Sequence, residues 1–461
     1  MGVATRQSGR AAAGSLEAIM KILQVPFTFA PDPIGGTEVY VESLARGLRT
    51  HGVEVAIAAP GKMTTVYEYH GLSVQRYAVA PALTLYDIYG EGDRIAADGF
   101  THILENERPA LVHFHAFTGA VSLRIVREVK HLGVPAVFTY HTPTVSCVRG
   151  TLMQWGHTIC DGRLRLDLCT RCTLHGLGLP RLLTEVVGRV PTSVGRAVGT
   201  WGVRGKGWTA LRMRELIGVR HAVVRHLLHE VDHVVAVCQW VQDLLIHNGV
   251  PPSKITLSRQ GLATTAGVER QTSAARKPSM PIRLAFFGRL DPVKGVHVLI
   301  QALRTNLSLP IALDIYGIVQ GEGESRYRQS LVRLISGDPR VTFKDPVTPP
   351  ETVSRLQEYD FLVVPSQWFE TGPLVILEAF AAGVPVLGSR LGGIAELVTH
   401  DVDGLLVDPD SPSMWRTTLQ RVCDDPGLAN RLRQGIRPVR TMDDVARDMV
   451  SLYRRFVREG S

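Results

Sequence analysis

Two glutamates eight residues apart, Glu370 and Glu378, lie in a segment whose residue types suit a sugar and a phosphate. Residues 361–365 form a short apolar run typical of a buried parallel strand, and Pro373 fits the first turn of a following helix. Glu370 would then lie in a loop at the carboxyl end of a strand, where open α/β sheets bind ligands. Glu378, further along the helix, could accept two hydrogen bonds from the vicinal diol of a ribose.

The start of the same predicted helix offers backbone N–H groups to an anion, because a helix N-terminus favours a bound phosphate. These N–H groups belong to Thr371, Gly372 and Leu374. Two glutamates at this spacing also arise by chance on the surface of an ordinary strand–helix unit, so this segment alone does not establish a site.

A second segment of the same kind strengthens the case. Residues 282–287 predict an apolar strand, residues 288–295 read Gly-Arg-Leu-Asp-Pro-Val-Lys-Gly, and residues 296–303 predict an amphipathic helix. Gly288 and Gly295 allow close backbone approach. Arg289 and Lys294 place two cations beside a helix N-terminus, an arrangement that suits a diphosphate.

Together the two segments resemble those of the GT4-type retaining glycosyltransferases with the GT-B fold, of the kind that builds bacterial polysaccharides. The resemblance covers roughly residues 20 to 455. It implies that Arg289 and Lys294 contact the diphosphate of a nucleotide sugar donor without a catalytic divalent metal. It also implies that Glu370 contacts the donor sugar and that Glu378 binds the ribose.

The resemblance adds two elements in the N-terminal half. The glycine-rich loop of the family matches residues 33–38, and a histidine that follows a later strand matches His141, which would contact the donor sugar. A solvated loop histidine is the alternative for His141. The expected catalytic residues are thus Arg289, Lys294, Glu370 and His141. The expected donor-binding residues are Gly35, Gly36, Gly288, Thr371, Gly372, Pro373, Leu374 and Glu378.

Length and pattern agree with two domains. At 461 residues the chain exceeds the size at which single cores stop growing, and its 45% hydrophobic content is ordinary for globular proteins. The order of strand, glycine loop, helix and strand near residues 22–58 recurs from residue 282 to residue 315. We therefore expect an α/β protein with two Rossmann-like, doubly wound domains that face a cleft.

The predicted boundaries divide the chain into five parts. They are a flexible tail (1–19), an N-terminal acceptor-side domain (20–270), a linker (271–281), a C-terminal domain for the nucleotide sugar (282–442) and a final helix (443–461). The resemblance implies that this last helix crosses back to the N-terminal domain. The first nineteen residues do not resemble a signal peptide, and no run reaches the roughly 18 apolar residues of a membrane span. A cytoplasmic protein is expected.

Four of the six cysteines fall within 26 residues, at Cys147, Cys160, Cys169 and Cys172. This clustering favours a structural Zn²⁺ held by four thiolates, with His157 or His175 as a substitute ligand. A cluster of reduced thiols without metal and an iron–sulfur or redox role are the alternatives. The cysteines belong to an insertion at about residues 147–230.

The same insertion contains much of the net charge of +8. Nine Arg or Lys and three Glu between residues 175 and 230 give 9 − 3 = +6, interleaved with apolar residues. This pattern suits contact with an anionic membrane or a phosphorylated lipid, at the inner face of the membrane. A solvated face of irregular helices is the alternative, and no nucleic-acid-binding motif is present.

Three further places bear on the donor. Asp401-Val402-Asp403 has the form of a metal-binding Asp-x-Asp, but its context predicts a turn. Two stretches depart from the family pattern, at residues 259–261 (Arg-Gln-Gly) and at residues 343–345 (Phe-Lys-Asp), and they leave the donor base open.

The expected function is transfer of a sugar from a nucleotide diphosphate donor to a hydroxyl of a glycan or lipid-linked glycan acceptor, in the synthesis of a cell-surface polysaccharide. Two alternatives stay open. One is a nucleotide-sugar-binding regulator without turnover, and the other is a storage-glucan synthase or phosphorylase.

Overall fold

The computed structural model describes residues 20–32, 35–202, 205–263, 280–409 and 411–457. Its strands, in chain order, are β1 (Lys21–Val25), β2 (Glu54–Gly61), β3 (Thr65–Tyr69), β4 (Leu72–Ala78), β5 (Leu111–Phe114), β6 (Ala136–Tyr140), β7 (Met153–Gln154), β8 (Thr158–Ile159), β9 (His233–Ala236), β10 (Ile255–Leu257), β11 (Ile282–Arg289), β12 (Ile311–Ile318), β13 (Val341–Lys344), β14 (Phe361–Val364), β15 (Val386–Ser389) and β16 (Gly404–Val407).

The α-helices are α1 (Gly36–Thr50), α2 (Leu85–Tyr89), α3 (Arg94–Glu107), α4 (Leu123–His131), α5 (Leu166–Gly176), α6 (Arg181–Val187), α7 (Thr192–Thr200), α8 (Lys206–Glu230), α9 (Gln239–His247), α10 (Val296–Arg304), α11 (Glu322–Ile335), α12 (Pro349–Leu356), α13 (Leu374–Ala381), α14 (Gly392–Leu397), α15 (Pro412–Asp424), α16 (Leu428–Gly435) and α17 (Met442–Val457). Short 3-10 turns cover Pro143–Val145, Pro252–Lys254 and Pro292–Lys294.

Two parallel sheets organise these elements. The N-terminal sheet has the order β10-β9-β6-β5-β1-β2-β4-β3, in which only β3 runs antiparallel to its neighbour. The C-terminal sheet has the order β13-β12-β11-β14-β15-β16 and is parallel throughout. Helical crossovers cover both faces, which explains why strands such as β14 and β15 are buried along their whole length. The predicted pair of Rossmann-like domains is confirmed.

The last helix, α17, returns to the N-terminal sheet. Val445, Met449 and Tyr453 are fully buried in one hydrophobic core with residues of β1 and α1, such as Ile22 and Leu44. The apolar stripe of α17 explains this packing, because an amphipathic helix must cover its apolar face. The predicted return of the chain to the N-terminal domain is confirmed.

The insertion forms helices α5 to α8 beside the N-terminal sheet, with a small core of its own around Leu174, Met213 and Ile217. Among the described helices, none combines the length and the apolar character that a membrane crossing requires.

Some predicted features lie outside the described residues. They are the tail (1–19), two loop residues (Pro33 and Ile34), Arg204, most of the linker (271–279) and the end of the last helix (458–461). One strand differs from its prediction, because β11 continues through Gly288 to Arg289 instead of ending at Phe287. Arg289 therefore leaves the sheet at the very end of a strand.

Candidate active site

The two loops predicted to hold the donor leave the same edge of the C-terminal sheet. β11 and β14 are parallel neighbours, with Leu284 paired to Phe361, so the loops at their carboxyl ends lie side by side. Gly295 makes this packing possible, because a Cβ atom there would lie 1.8 Å from the carbonyl oxygen of Pro365. Its φ of 72° is also one that glycine adopts at little cost.

Lys294 and Glu370 meet between these loops. The Lys294 Nζ lies 2.6 Å from Glu370 Oε1, and the hydroxyl of Ser366 donates to the same oxygen at 2.8 Å. The indole of Trp368 lies 5.4 Å from the ammonium. The Glu370 side chain is only 8% exposed, so the cation and the hydroxyl compensate a carboxylate that is largely removed from water.

Arg289 lies closer to solvent. Its Nη1 is 3.6 Å from Glu324 Oε1 on α11, and 42% of the side chain remains exposed. Burial raises the pKa of Glu38, on α1 of the other domain, and hydrogen bonds from backbone N–H groups, that of Gly35 first, oppose that rise more than the positive charge of Arg289 does. Because 42% of its side chain is exposed, Arg289 retains N–H groups for an anionic ligand.

The described part of the glycine-rich loop begins α1. Gly35 precedes this helix and Gly36 is its first residue, and the N–H of Gly35 donates to Glu38 Oε2 at 2.9 Å. Gly36 has open space where a side chain would stand. The structure therefore places both glycines at a helix N-terminus, where backbone N–H groups favour an anion.

His141 follows β6 and is buried, so the alternative of a solvated loop histidine is wrong. Its Nε2 lies 2.9 Å from His115 Nδ1, and His115 Nε2 lies 2.5 Å from Gln24 Oε1. Burial lowers the pKa of His141 to about 3, and it also holds the pKa of His115 well below the usual range. Both rings are therefore neutral at physiological pH.

This chain of hydrogen bonds fixes the tautomers. The amide oxygen of Gln24 can only accept, so His115 carries its proton on Nε2 and presents a lone pair on Nδ1. His141 must then donate from Nε2, which leaves Nδ1 as an acceptor. That Nδ1 is buried and has no hydrogen-bond partner among the described residues. The site thus contains one acceptor that a hydroxyl group would satisfy.

Contacts between the domains join these groups into one site. The hydroxyl of Thr371 donates to the carbonyl oxygen of His141 at 2.6 Å, and the indole N–H of Trp240 donates to the carbonyl oxygen of Glu370 at 3.0 Å. The Phe369 N–H donates to the carbonyl oxygen of Thr151 in the insertion at 3.3 Å. The loop of Glu370 therefore touches both the N-terminal domain and its insertion.

Glu378 lies within α13, and burial raises its pKa to about 7. Pro373 directly precedes the first residue of this helix instead of lying in its first turn. Gly372 has a φ of 150°, and the Oε1 of Gln260 would lie 3.0 Å from a Cβ atom there. Gln260, one of the departures from the family pattern, therefore packs against the loop that contains Glu370 and Gly372.

Several residues of this site were missed by the sequence reasoning, namely Gln24, His115, Trp240 and Ser366. Only His115 has a local signal. It follows a buried strand, β5, that already contains another histidine, His113, and polar residues at the end of an apolar strand mark a ligand-binding edge.

The four clustered cysteines are unpaired and line one cavity next to α5. Backbone N–H of Trp155 and Nη1 of Arg149 point at Cys172 Sγ, at 3.4 and 3.6 Å. Neither His157 nor His175 lines this cavity. In the described ranges no three His, Cys, Asp or Glu side chains are grouped as a metal site. Zinc binding therefore stays a prediction.

The Asp-x-Asp stretch is a turn, as expected. Residues 401–403 form it directly before β16. Asp401 pairs with Arg421 at 2.6 Å, and Asp403 accepts from the N–H of Thr399 at 2.7 Å. Both carboxylates therefore have structural roles.

Comparison with known proteins agrees with this geometry. The family model of Glycosyltransferase Family 4 matches residues 34–265, and that of the group 1 glycosyl transferases matches residues 268–438. A D-inositol 3-phosphate glycosyltransferase of Corynebacterium efficiens is 34% identical over 206 residues, which are 42% of this chain and 48% of the relative. The chain thus spans about half of that relative's length. An Arthrobacter protein of the same name is 26% identical over 410 residues, 85% of this chain and 82% of the relative.

Two solved structures share the fold at low identity. Sucrose-phosphate synthase from Thermosynechococcus elongatus superimposes with a TM-score of 0.64 and 19% identity, covering 95% of this chain and 100% of that one. Anabaena HepE in complex with UDP and glucose superimposes with a TM-score of 0.61 and 16% identity. The match covers 95% of this chain and 100% of that one. Because the match to residues 34–265 spans half of the chain and both sheets take the GT-B arrangement, this chain belongs to Glycosyltransferase Family 4.

Proposed function

We propose that this protein transfers a sugar from a nucleoside diphosphate sugar to a hydroxyl of an acceptor, with retention of the anomeric configuration. One observation carries the proposal: Lys294 pairs with Glu370, and Thr371, the residue after Glu370, donates to the backbone carbonyl of His141 in the other domain. A cation suited to phosphate and a carboxylate suited to sugar hydroxyls then lie in a loop that contacts the segment of His141, whose Nδ1 has no partner among the described residues.

The donor diphosphate would contact Arg289 and Lys294. Lys294 is already held by Glu370, and Arg289 keeps exposed donors, so both cations are positioned before the ligand arrives. Charge that develops on the leaving phosphate would meet these groups without reorganisation, the type of interaction that usually contributes most to catalysis. This arrangement supports transfer that does not depend on a divalent metal.

The groups around the Glu370 carboxylate support retention of the anomeric configuration. Glu370 is engaged by Lys294 and Ser366, which suits contact with sugar hydroxyls better than attack on the anomeric carbon. In the proposed step the bond from C1 to the phosphate oxygen breaks, and the acceptor oxygen bonds to C1 on the same face. The proton of the acceptor hydroxyl goes to the leaving phosphate.

The donor and acceptor classes are part of the proposal. The fold neighbour HepE is described with UDP and glucose, and the relatives are named for D-inositol 3-phosphate. For this chain we favour a glycan or lipid-linked glycan of a cell-surface polysaccharide, in the cytoplasm at the inner face of the membrane. The charged and apolar insertion on the acceptor side supports this choice.

Donor binding is tested by thermal shift with a panel of nucleoside diphosphate sugars. A donor at a hundred times its dissociation constant should stabilise the protein by about 2.7 kcal/mol. The donor found in this way is then offered with inositol phosphate or with lipid-linked glycan, and NMR of the fresh product gives the anomeric configuration. An inverted centre would contradict the mechanism, and tight binding without hydrolysis or transfer would indicate a regulator.

A further inference from the structure

One surface of the insertion exposes apolar side chains to an unusual extent. We call it the amphipathic surface and define it by the stretch from Leu177 to Trp201, which contains α6 and α7, and by the first turn of α8. Leu182 is 85% exposed, Val186 is 70% exposed and Trp201 is 65% exposed. The remaining exposed large apolar residues of this stretch are Leu177, Leu183, Val194 and Trp208.

Cations are interleaved with these side chains. Arg181, Arg189, Arg196 and Lys206 are all exposed. Residues 177–211 contain a single acid, Glu185, which pairs with Arg171 and with Arg189. The amphipathic surface is therefore strongly positive.

The structure also shows that some of the cations counted in the insertion do not lie at its surface. Arg212 pairs with Glu215 at 3.3 Å, and Arg220 donates to the carbonyl oxygen of Val145 at 3.1 Å; both arginines are buried. These two arginines serve the interior of the insertion. The exposed cations are concentrated on α6, α7 and the start of α8, beside the apolar side chains.

The apolar side chains of the amphipathic surface stay exposed in the folded protein. Helix α7 approaches α8 through Gly195 and Gly199, because a Cβ atom on Gly195 would lie 2.9 Å from the Cβ of Glu215. The close approach turns Val194, Arg196 and Trp201 away from α8 and into solvent. By contrast, α17 has its apolar stripe covered by the N-terminal sheet. Within the described residues, the apolar side chains of the amphipathic surface remain uncovered.

We propose that the amphipathic surface docks on an anionic lipid bilayer. Leu, Val and Trp side chains with Arg and Lys between them match the interface of such a bilayer, where apolar groups enter the acyl boundary and cations contact the headgroups. Nucleic acid would match the cations but would leave Leu182 and Val186 in water. The proposal does not depend on the identity of the donor or the acceptor.

Docking here would place the site close to the membrane. The guanidinium of Arg181 lies 4.8 Å from the ring centroid of Trp155, in the same insertion loop as Thr151. Thr151 in turn accepts from the N–H of Phe369, next to Glu370. The amphipathic surface is thus connected to the loop of Glu370 through a short run of packed residues.

The test is flotation of the full chain with vesicles of phosphatidylcholine alone or mixed with phosphatidylglycerol. Binding is expected only to the anionic vesicles and should weaken as salt rises. The double variant Arg196→Glu and Lys206→Glu should lower the partition coefficient by about 30-fold or more, if each cation near the surface contributes about 1 kcal/mol. The triple variant Leu182→Ser, Val186→Ser and Trp201→Ser should bind weakly at every salt concentration.

Matched controls lie on the C-terminal domain. Arg333→Glu with Arg416→Glu changes exposed cations, and Leu307→Ser with Met414→Ser changes exposed apolar residues. These variants should float like the unchanged protein. All variants should melt like it too, since the altered side chains are exposed. A chain that ignores anionic vesicles, or controls that lose binding equally, would overturn the proposal.

Two other occupants are distinguished in the same samples. Salt-sensitive binding to RNA without binding to vesicles would assign the surface to nucleic acid. Self-association that Leu182→Ser abolishes, again without vesicle binding, would assign it to a second copy of the chain. Either result would replace the membrane proposal.

Discussion

The ammonium of Lys294 lies 2.6 Å from the carboxylate of Glu370, although 76 residues separate them along the chain. The contact exists because β11 and β14 are neighbours, and Gly295 lets their loops touch. It fixes both groups before a substrate binds.

Removing the positive charge of Lys294 or of Arg289 should therefore lower turnover more than it lowers the stability of the fold. Lys294→Ala and Arg289→Ala should each lower kcat/KM by roughly 100-fold or more, if each removes one transition-state donor. Steady-state kinetics with the identified donor measures this. Arg333→Ala, an exposed arginine on α11, is the control and should stay near the unchanged rate. A loss below threefold in both site variants would contradict their role.

Donor affinity should rise with pH around neutrality. Burial raises the pKa of Glu378 to about 7, so its carboxyl is neutral below that pH and charged above it. The charged form accepts strongly on both oxygens, whereas the neutral form carries a proton on one of them, so the dissociation constant of the donor should fall from pH 6 to pH 8. Glu378→Gln should bind weakly and without this pH dependence. Calorimetric titration of both proteins with the donor at several pH values measures this. An equally steep pH dependence of the dissociation constant in Glu378→Gln would assign the effect to another group.

Acid should destabilise the fold through His141. Its pKa is about 3 in the folded protein because of burial, and about 6.5 in an unfolded chain. Below about pH 6.5 His141 therefore binds a proton in the unfolded state but not in the folded state, so the free energy of unfolding falls as pH falls. His141→Gln should lose less stability on acidification, by about 1.4 kcal/mol per pH unit.

Urea unfolding at several pH values measures this difference. His131→Gln is the matched control, because the His131 side chain is 79% exposed and should show the same pH profile as the unchanged protein. Parallel profiles for the unchanged chain and His141→Gln would mean that the His141 ring takes up its proton in the folded state.

The return of α17 should be visible in stability. Met449 is fully buried between α17 and the N-terminal sheet, so Met449→Ala should cost about 2–5 kcal/mol and lower the melting temperature. Ser451→Ala changes an exposed position of the same helix and should have little effect. Equal melting of the two variants would show that this face is not packed in solution.

Metal content tests the cysteine cluster. The four thiols line one cavity, so protein purified under reducing conditions should contain about one zinc, which Cys169→Ser with Cys172→Ser should remove. Elemental analysis measures both. Less than about a tenth of an equivalent in protein never treated with chelator would favour reduced thiols without metal.

Local sequence patterns determined a large part of this protein. The apolar runs, the glycines and the amphipathic stripes specify β11, β14, α10, α13 and α17. They place Arg289, Lys294 and Glu370 in the connections that follow β11 and β14. These signals are readable because the period of an element and its bounding glycines lie within a few neighbouring residues.

Tertiary structure alone decided which of these groups touch. Gln24 and His141 are linked through His115, and Thr371 reaches the His141 carbonyl from the other domain. Arg220 is buried, so its charge does not contribute to the surface, and this burial too is decided by the tertiary structure. Such contacts join residues far apart in the chain. They depend on strand order and on how the two domains meet, and no local pattern records either.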